Sequence, residues 1–188
     1  MPQSTAWVLG FIYVFSELGL ALKKRAKAGE TRNADRGSLT LLWIVIAASV
    51  TLAFNVAYAL PAAGMGAVPT LRFLGVAVFA AGLSLRWYAI VHLGRFFTVN
   101  VAIAAGHRLI DTGPYRFVRH PSYTGALMAF FGLALCLANW ASLAVMLIPV
   151  FLVFLRRMHV EEDALLQAFG NQYRDYMRRT KRLIPAVY

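Results

Sequence analysis

Apolar stretches long enough to cross a membrane alternate with short polar ones in the first half of the chain. Residues 6–22 are apolar apart from Ser16 and Glu17, and two further apolar runs cover residues 41–60 and 70–92. A helix needs about 20 apolar residues, within a range of roughly 17 to 25, to cross the hydrocarbon core of a bilayer. The pattern therefore predicts three membrane-spanning helices.

The second half of the chain has a different pattern. A polar segment with several glycines and prolines covers residues 93–122, and two apolar runs follow at residues 123–137 and 141–155. Each run is about 15 residues, or roughly 22 Å of helix, which is shorter than a hydrocarbon core of roughly 30 Å. Two such runs predict a helical hairpin that enters the membrane and returns to the same side. From Arg156 onward, apolar residues recur at mostly helical spacing and predict an amphipathic tail helix.

These elements predict an all-α, multi-pass membrane bundle in two parts. The first part, residues 1–92, contains the three spans and a basic loop at residues 23–40. The second part, residues 93–188, contains the polar segment, the hairpin at residues 123–155 and the tail helix. This second part is the predicted catalytic region, because it collects the side chains that could perform chemistry.

The composition supports a membrane protein. Hydrophobic residues make up 60% of the 188 residues and charged residues 14%, whereas a soluble domain has about 45–50% apolar and 25% charged residues. A water-soluble globule and a disordered chain are both excluded, the latter because disorder requires low hydrophobicity. The single cysteine, Cys136, lies in an apolar run, so no internal disulfide and no cysteine-rich metal site is expected.

The basic residues are concentrated in two places. The chain has 19 Lys+Arg against 8 Asp+Glu, a formal net charge of +11, and the excess lies in the loop after the first apolar run and in the tail. That placement is typical of cytosolic segments beside membrane spans rather than of a nucleic-acid-binding surface. We expect a lipid bilayer and no nucleic acid as partner, an external N-terminus and a cytosolic C-terminus, in the inner membrane of a prokaryotic cell. The oligomeric state is left open.

Two polar clusters carry the residues suited to chemistry, namely residues 106–123 and residues 157–162. The hairpin separates them in sequence, and its closure should bring them together at the cytosolic face. Within the second cluster, Arg157 and Glu161 are four residues apart and share one helix face. Taken alone, that pair could equally be an interfacial salt bridge that anchors the tail helix.

Other polar residues have structural interpretations. Arg72 and Arg86 lie towards the two ends of the third apolar run, where long basic side chains can reach the headgroups. Glu17 is either a polar link inside the bundle or a residue at the membrane edge. We expect headgroup contacts for Arg116 and Arg156. The four histidines match no zinc-binding spacing, so we expect no metal site.

The two clusters together resemble the isoprenylcysteine carboxyl methyltransferases and their prokaryotic relatives, which are integral-membrane enzymes that use S-adenosylmethionine. The resemblance depends on GHRLIDTGPYRFVRHPSYTG at residues 106–125 and RMHVEEDALLQAFGNQYRDYMRR at residues 157–179. It covers about the last hundred residues, whereas the first 90 match only as generic spans.

The resemblance implies a binding site for S-adenosylmethionine and, beside it, a site for a lipophilic small molecule or lipidated substrate. Arg157 would hold the methyl acceptor, and Glu161 would act with it as the second catalytic residue by contacting the donor. Arg119 would support the site without touching the ligands. The other donor-binding residues that the resemblance implies are Asn100, His107, Arg108, Leu109, Ile110, Tyr115, His120, Pro121, Ser122 and Tyr123.

These residue types suit methyl transfer. Tyr115 and Tyr123 can form a slot for adenine, and Glu161 can pair with the ammonium group of the donor. A carboxylate acceptor is already ionised, so it needs only a positive group such as Arg157 to align it with the methyl group. A hydroxyl or amine acceptor would instead require a general base, for which His120 or Glu161 is the candidate.

Several functions therefore stay open at this point. We favour a carboxylate acceptor such as isoprenylcysteine or another isoprenoid or lipid acid, with a phospholipid amine or another lipid as the alternative. Some membrane reductases have a related C-terminal hairpin that binds NADPH, and a non-enzymatic membrane protein could keep the same fold.

Overall fold

The computed structural model describes residues 4–23, 37–66, 68–97 and 108–188. The regular structure within these ranges is helical, as predicted, and most of the predicted basic loop at residues 23–40 lies outside them. The α-helices are α1 (Ser4–Lys23), α2 (Ser38–Ala59), α3 (Val68–Leu93), α4 (Pro121–Leu137), α5 (Trp140–Phe169) and α6 (Asn171–Arg179). Short 3-10 turns occupy Pro61–Ala63, Gly94–Phe96 and Gly113–Arg116.

By length and composition, three described helices can cross a membrane, namely Ser38–Ala59, Pro69–Leu93 and Trp140–Phe169. The first two correspond to the predicted spans at residues 41–60 and 70–92. The predicted first span forms α1, which with α4 belongs to the shorter apolar helices. Large apolar side chains cover the outside of the bundle, an arrangement that suits lipid rather than water.

Glycines allow α3 and α4 to pack with their backbones almost in contact. Gly75 lies opposite Gly132 and Gly82 lies opposite Gly125, so the two helices run antiparallel. A Cβ atom added to Gly82 would lie 2.6 Å from the carbonyl oxygen of Gly125, and one added to Gly132 would lie 2.5 Å from that of Gly75. Small residues are the usual means of close helix contact in a membrane. The same packing places the first turns of α4 directly beside Arg86 in α3.

Asn139 builds the turn between α4 and α5. Its side chain accepts a hydrogen bond from the Ser142 amide (3.0 Å), which caps α5, and donates one to the Leu60 carbonyl (2.8 Å) at the end of α2. The neighbouring Ala138 carbonyl accepts a hydrogen bond from the Met65 amide (2.8 Å). The hairpin tip therefore reaches the connection between α2 and α3, and the open end of the hairpin lies at the opposite end of the bundle.

Helix α5 unites two elements that the sequence pattern separates. The second hairpin arm is predicted to end at residue 155, yet one continuous helix covers Trp140–Phe169, and the predicted boundary is absent. Residues 156–169 contain neither glycine nor proline, so nothing interrupts the helix before Gly170, whose φ of 53° ends it. The 30 residues of α5 span about 45 Å against a core of roughly 30 Å, so its last turns extend beyond the apolar zone.

The residues after α6 fold back on the segment that precedes α4. The Arg119 amide donates to the Lys181 carbonyl (2.7 Å), and the His120 amide donates to the Arg182 carbonyl (3.0 Å). These bonds provide partners for backbone groups that lie outside the helices. They also hold His120, the residue before α4, in a defined position at the open end of the hairpin.

Candidate active site

A cavity lies at the open end of the hairpin. It encloses about 1340 Å³ of space, a volume that includes open solvent at its mouth. The described wall combines apolar side chains of α1 and α2 with polar side chains from the start of α4 and the second half of α5. The apolar side chains from α1 and α2 are Leu20, Leu39, Leu42, Trp43 and Ile46, and further apolar side chains come from other elements, among them Leu93, Phe97, Phe154 and Leu165. The polar group includes His120, Tyr123, Arg157 and Glu161.

The two predicted polar clusters meet in this cavity. The hydroxyl of Tyr123 donates a hydrogen bond to Glu161 Oε1 over 2.5 Å, and His120 Nδ1 lies 3.6 Å from Glu161 Oε2. Both contacts join the start of α4 to α5. The hairpin therefore brings the clusters together, as the sequence predicts.

Arg157 is buried in the cavity wall, with a relative exposure of 2%. Its NH1 group donates a hydrogen bond to Ser38 Oγ (2.8 Å) at the start of α2, and its Nε donates to Glu161 Oε1 (3.4 Å). The Arg157–Glu161 pair is therefore part of a cavity and not an exposed salt bridge that anchors a tail helix. A buried guanidinium beside a cavity is suited to holding an anion with two parallel hydrogen bonds.

Glu162, the sequence neighbour of Glu161, belongs to a separate cluster of charges. Its carboxylate accepts hydrogen bonds from Arg119 Nε (2.8 Å) and from Arg182 NH2 (2.7 Å), and His120 Nε2 lies 3.2 Å away. Its side chain is only 4% exposed. Sequence reasoning assigned no role to Glu162 or Arg182, because the fold-back of the tail has no periodic pattern that would reveal it.

Arg119 lies between this cluster and the C-terminal segment. Besides its bond to Glu162, its NH1 group donates to the carbonyl of Met177 (3.2 Å) and to that of Thr180. It also forms part of the described cavity wall. Its bonds therefore connect α5, the segment before α4 and the C-terminal segment.

Arg86 and Glu17 form a bidentate ion pair that joins α3 to α1. The two bonds, Nε to Oε1 and NH2 to Oε2, are 2.6 and 2.7 Å long, and Arg86 NH1 donates to the Ser122 carbonyl (3.2 Å). Side-chain exposure is 12% for Arg86 and 6% for Glu17. The prediction that Arg86 reaches the headgroups is wrong, and Glu17 is a polar link inside the bundle. The partners are 69 residues apart, and only helix packing brings them together.

Tyrosines form another part of the wall. Tyr115 is 7% exposed; its hydroxyl donates to the Ala89 carbonyl (3.3 Å), and its own carbonyl accepts a hydrogen bond from the Tyr176 hydroxyl (2.7 Å). The preceding turn requires glycine, because Gly113 has a φ of 57° and a Cβ there would lie 2.6 Å from the His92 ring. The turn thereby directs the chain so that Tyr115 enters the cavity wall.

Other predicted site residues have different positions. Leu109, Ile110 and Ser122 lie in the cavity wall, and Pro121 is buried at the start of α4. Arg108 is exposed and is not part of the described wall.

Two predicted site residues, Asn100 and His107, lie outside the described residues. Within the described ranges, no group of three or more histidine, cysteine, aspartate and glutamate side chains is arranged to hold a metal ion.

His120 links the two carboxylates of α5. Burial alone would lower the pKa of its imidazole, but hydrogen bonds to Glu161 and Glu162 outweigh burial and raise the pKa above its ordinary value of 6.5. The raised pKa favours the charged imidazolium, which lies between the two carboxylates.

The fold and the cavity define an integral membrane protein of helical class, with buried charges and an apolar wall in one site. Comparison with known families then identifies the family. The chain belongs to the phospholipid methyltransferase family, whose model matches residues 70–172. The matched range includes His120, Tyr123, Arg157 and Glu161.

Individual relatives agree with the resemblance seen in the motifs. Protein-S-isoprenylcysteine O-methyltransferase B of Arabidopsis thaliana is 35% identical over 115 residues, which cover 60% of this chain and 58% of the relative. The probable protein-S-isoprenylcysteine O-methyltransferase of Oryza sativa subsp. indica is 31% identical over 117 residues, 61% of each chain.

A solved structure of a related enzyme is also similar to this chain. The eukaryotic intramembrane Ras methyltransferase, isoprenylcysteine carboxyl methyltransferase, matches with a TM-score of 0.65 and 30% identity over 79% of this chain and 53% of that chain. This chain thus spans about three fifths of the sequence relatives and about half of the solved structure.

Proposed function

We propose that the protein is a membrane methyltransferase that uses S-adenosylmethionine to methylate the carboxylate of a lipophilic acceptor. The observation that carries this proposal is a single cavity in which buried Arg157 and Glu161 lie beside the apolar side chains of α1 and α2. The printed names of the relatives, which describe O-methylation of protein-S-isoprenylcysteine, support the same class of reaction.

The cavity wall has the groups to hold the donor, because charged, aromatic and apolar side chains line one space. The Glu161 carboxylate, with 27% side-chain exposure, suits the donor's ammonium group, and Tyr115 and Tyr123 offer aromatic surfaces for adenine. From the resemblance we assign further donor contacts to Asn100, His107, Arg108, Leu109, Ile110, His120, Pro121 and Ser122.

Arg157 is proposed to hold the acceptor. When bound, S-adenosylmethionine supplies an electrophilic methyl group carried on a positively charged sulfur. The Arg157 guanidinium can grip an acceptor carboxylate by two hydrogen bonds, and Ser38 and Glu161 restrict its orientation. Burial strengthens such an ionic contact, and a fixed orientation contributes most to a displacement that requires in-line alignment.

A carboxylate acceptor fits the charges better than an amine or a hydroxyl. Those acceptors require a general base, yet the raised pKa of His120 favours its charged form, and Glu161 is engaged by Tyr123 and Arg157. A carboxylate requires no base. A phospholipid amine is the second candidate, supported by the description of the family.

The charge pairing argues against a nicotinamide-dependent reductase. The 2′-phosphate of NADPH requires several positive groups, whereas two of the three arginines in the described cavity wall are bound to carboxylates. These pairs are Arg86 with Glu17 and Arg119 with Glu162.

We propose that the cavity opens towards the cytosol and that the C-terminus is cytosolic. The basic tail lies at the cavity end of the bundle, and α1 ends and α2 begins there, on either side of the basic loop. This placement follows the positive-inside rule and leaves the N-terminus outside, in the inner membrane of a prokaryotic cell. In this scheme residues 1–92 supply the apolar wall and residues 93–188 form the catalytic region.

Methyl transfer by the purified protein in detergent tests the proposal. With labelled S-adenosylmethionine and an S-farnesylated cysteine that has a free carboxyl group, we expect a base-labile methyl ester. The matched carboxamide should accept no label. Label in the headgroup of phosphatidylethanolamine would instead establish the second candidate, and NADPH oxidation without methyl transfer would establish a reductase.

A further inference from the structure

The hydroxyl group of Tyr173 in α6 is buried and has no hydrogen-bond partner among the residues that the structure describes. The residue is 1% exposed. A buried hydroxyl that has left water without gaining a partner destabilises a protein, so such groups are rare and call for an explanation. The other unpartnered buried atom of the described side chains, Arg72 Nε, lies near the opposite end of the bundle, away from the cavity.

Tyr173 forms part of the described cavity wall, and its neighbours there are satisfied. The hydroxyls of Tyr115, Tyr123 and Tyr176 donate to the Ala89 carbonyl, to Glu161 and to the Tyr115 carbonyl, respectively. Of these four tyrosine hydroxyls in the described wall, that of Tyr173 is therefore the one without a hydrogen-bond partner.

Contacts with its neighbour Tyr176 fix the position of Tyr173. Tyr176, one turn further along α6, is tied to the Tyr115 carbonyl (2.7 Å), and the Tyr173 and Tyr176 rings lie 5.8 Å apart. The ring of Tyr173 is therefore held in the wall whether or not its hydroxyl is bonded. Preorganisation of this kind lowers the entropic cost of binding.

The hydroxyl is available as a hydrogen-bond donor. Burial, and then the charge of Glu162, raises the pKa of Tyr173 well above its ordinary value, so the group stays protonated across the physiological range. It can therefore donate to an oxygen or nitrogen atom of a ligand.

We propose that the Tyr173 hydroxyl donates a hydrogen bond to the nucleoside part of the methyl donor. This inference deepens the proposed function and rests on it. Tyr173 packs against Tyr176, which is bonded to the backbone of Tyr115, and Tyr115 is the proposed partner of the donor's adenine. The bonded ligand atom is therefore assigned to the donor and not to the acceptor chain.

The Tyr173→Phe variant removes the hydroxyl and keeps the ring. We expect the dissociation constant for S-adenosylhomocysteine, measured by calorimetry, to rise about tenfold, in line with the loss of one buried hydrogen bond. The KM for the acceptor should stay unchanged. The melting temperature of the ligand-free variant should stay the same or rise, because an unsatisfied group has been removed.

Tyr176→Phe is the matched control, because it removes a hydroxyl that is bonded within the protein. It should lower the melting temperature and change the affinity for S-adenosylhomocysteine less than Tyr173→Phe does. Analogues of S-adenosylhomocysteine that lack one acceptor atom each (2′-deoxy, 3′-deoxy, deaza) locate the contact. The analogue without the bonded atom should bind the wild type and Tyr173→Phe equally.

Two outcomes would overturn the inference. Either Tyr173→Phe binds S-adenosylhomocysteine as tightly as the wild type, or it loses melting temperature as Tyr176→Phe does, which would show a structural hydroxyl. A wild-type protein that does not bind S-adenosylhomocysteine would contradict the proposed function itself, so the two failures are distinguishable.

Discussion

Glu161 and Glu162 are adjacent in sequence, yet they lie in two different regions of the site. Glu161 belongs to the cavity wall and retains 27% side-chain exposure, with Tyr123 and Arg157 as bonded neighbours. Glu162 is 4% exposed and is surrounded by Arg119, Arg182 and His120. One carboxylate is open to a ligand, whereas the other is fully occupied by the protein.

The difference separates a binding region from a supporting region. The cluster around Glu162 connects α5 to the segment before α4 and to the C-terminal residues, so it determines where His120 and Tyr123 lie. The region around Glu161 then presents charges to the cavity. Two carboxylates with similar chemistry should therefore respond differently to substitution.

The largest expected effect is on stability, from Glu162→Gln. Removing this charge leaves Arg119 and Arg182, whose side chains are 10% and 19% exposed, without the carboxylate that they share, and breaking a buried ion pair costs about 3–5 kcal/mol. For a chain of this size that corresponds to a decrease in melting temperature of about 10 °C. Thermal unfolding in detergent measures it. An unchanged melting temperature would show that the Glu162 cluster does not support the fold.

Glu161→Gln should weaken donor binding and affect stability less. The carboxylate is the proposed partner of the donor's ammonium group, and a hydrogen bond to a charged group contributes about 1.5–3 kcal/mol. Calorimetry with S-adenosylhomocysteine should therefore show an affinity reduced by about 30-fold, with Glu162→Gln as the matched control at constant folded fraction. If both variants lose donor affinity equally, the distinction between the two carboxylates is wrong.

Arg157→Lys should affect the acceptor more than the donor. Lysine keeps the positive charge but cannot form the two parallel hydrogen bonds of a guanidinium. We expect the KM for the carboxylate acceptor to increase about tenfold, equivalent to about 1.4 kcal/mol, with donor affinity within threefold of the wild type. Steady-state kinetics with each substrate varied separately distinguishes the two. A change confined to donor affinity would contradict the assignment.

The smallest effect is the pH dependence contributed by His120. Since the folded-state pKa of His120 is raised above 6.5, its stabilising contribution is complete below that pH and is lost as the pH rises through the folded-state pKa. As the pH rises from 6.5 through the folded-state pKa, the melting temperature of the wild type should therefore decrease by a few degrees. Each unit by which folding raises the pKa corresponds to about 1.4 kcal/mol of stability. His120→Gln should lack this decrease. A pH profile shared by both proteins would mean that His120 does not carry the effect.

The motifs at residues 106–125 and 157–179 and the apolar runs were sufficient to predict the class of protein and the meeting of two clusters. Backbone groups in lipid must be bonded within the segment, so a long apolar run can only be a helix, and residues 41–60 and 70–92 form α2 and α3 accordingly. The spacing of Arg157 and Glu161 also predicted that they are neighbours on one helix face, because residues four apart in a helix lie side by side.

The partners of the buried charges were decided by the tertiary structure alone. Arg86 pairs with Glu17 across 69 residues, and Glu162 pairs with Arg182 across 20. These distances have no periodic signature, since they depend on helices that pack through glycine contacts and on a tail that folds back. The sequence by itself determined which segments are helical and apolar. Packing decided which carboxylate is partly exposed in the cavity and which is buried, because burial and counter-charge depend on elements that are distant along the chain.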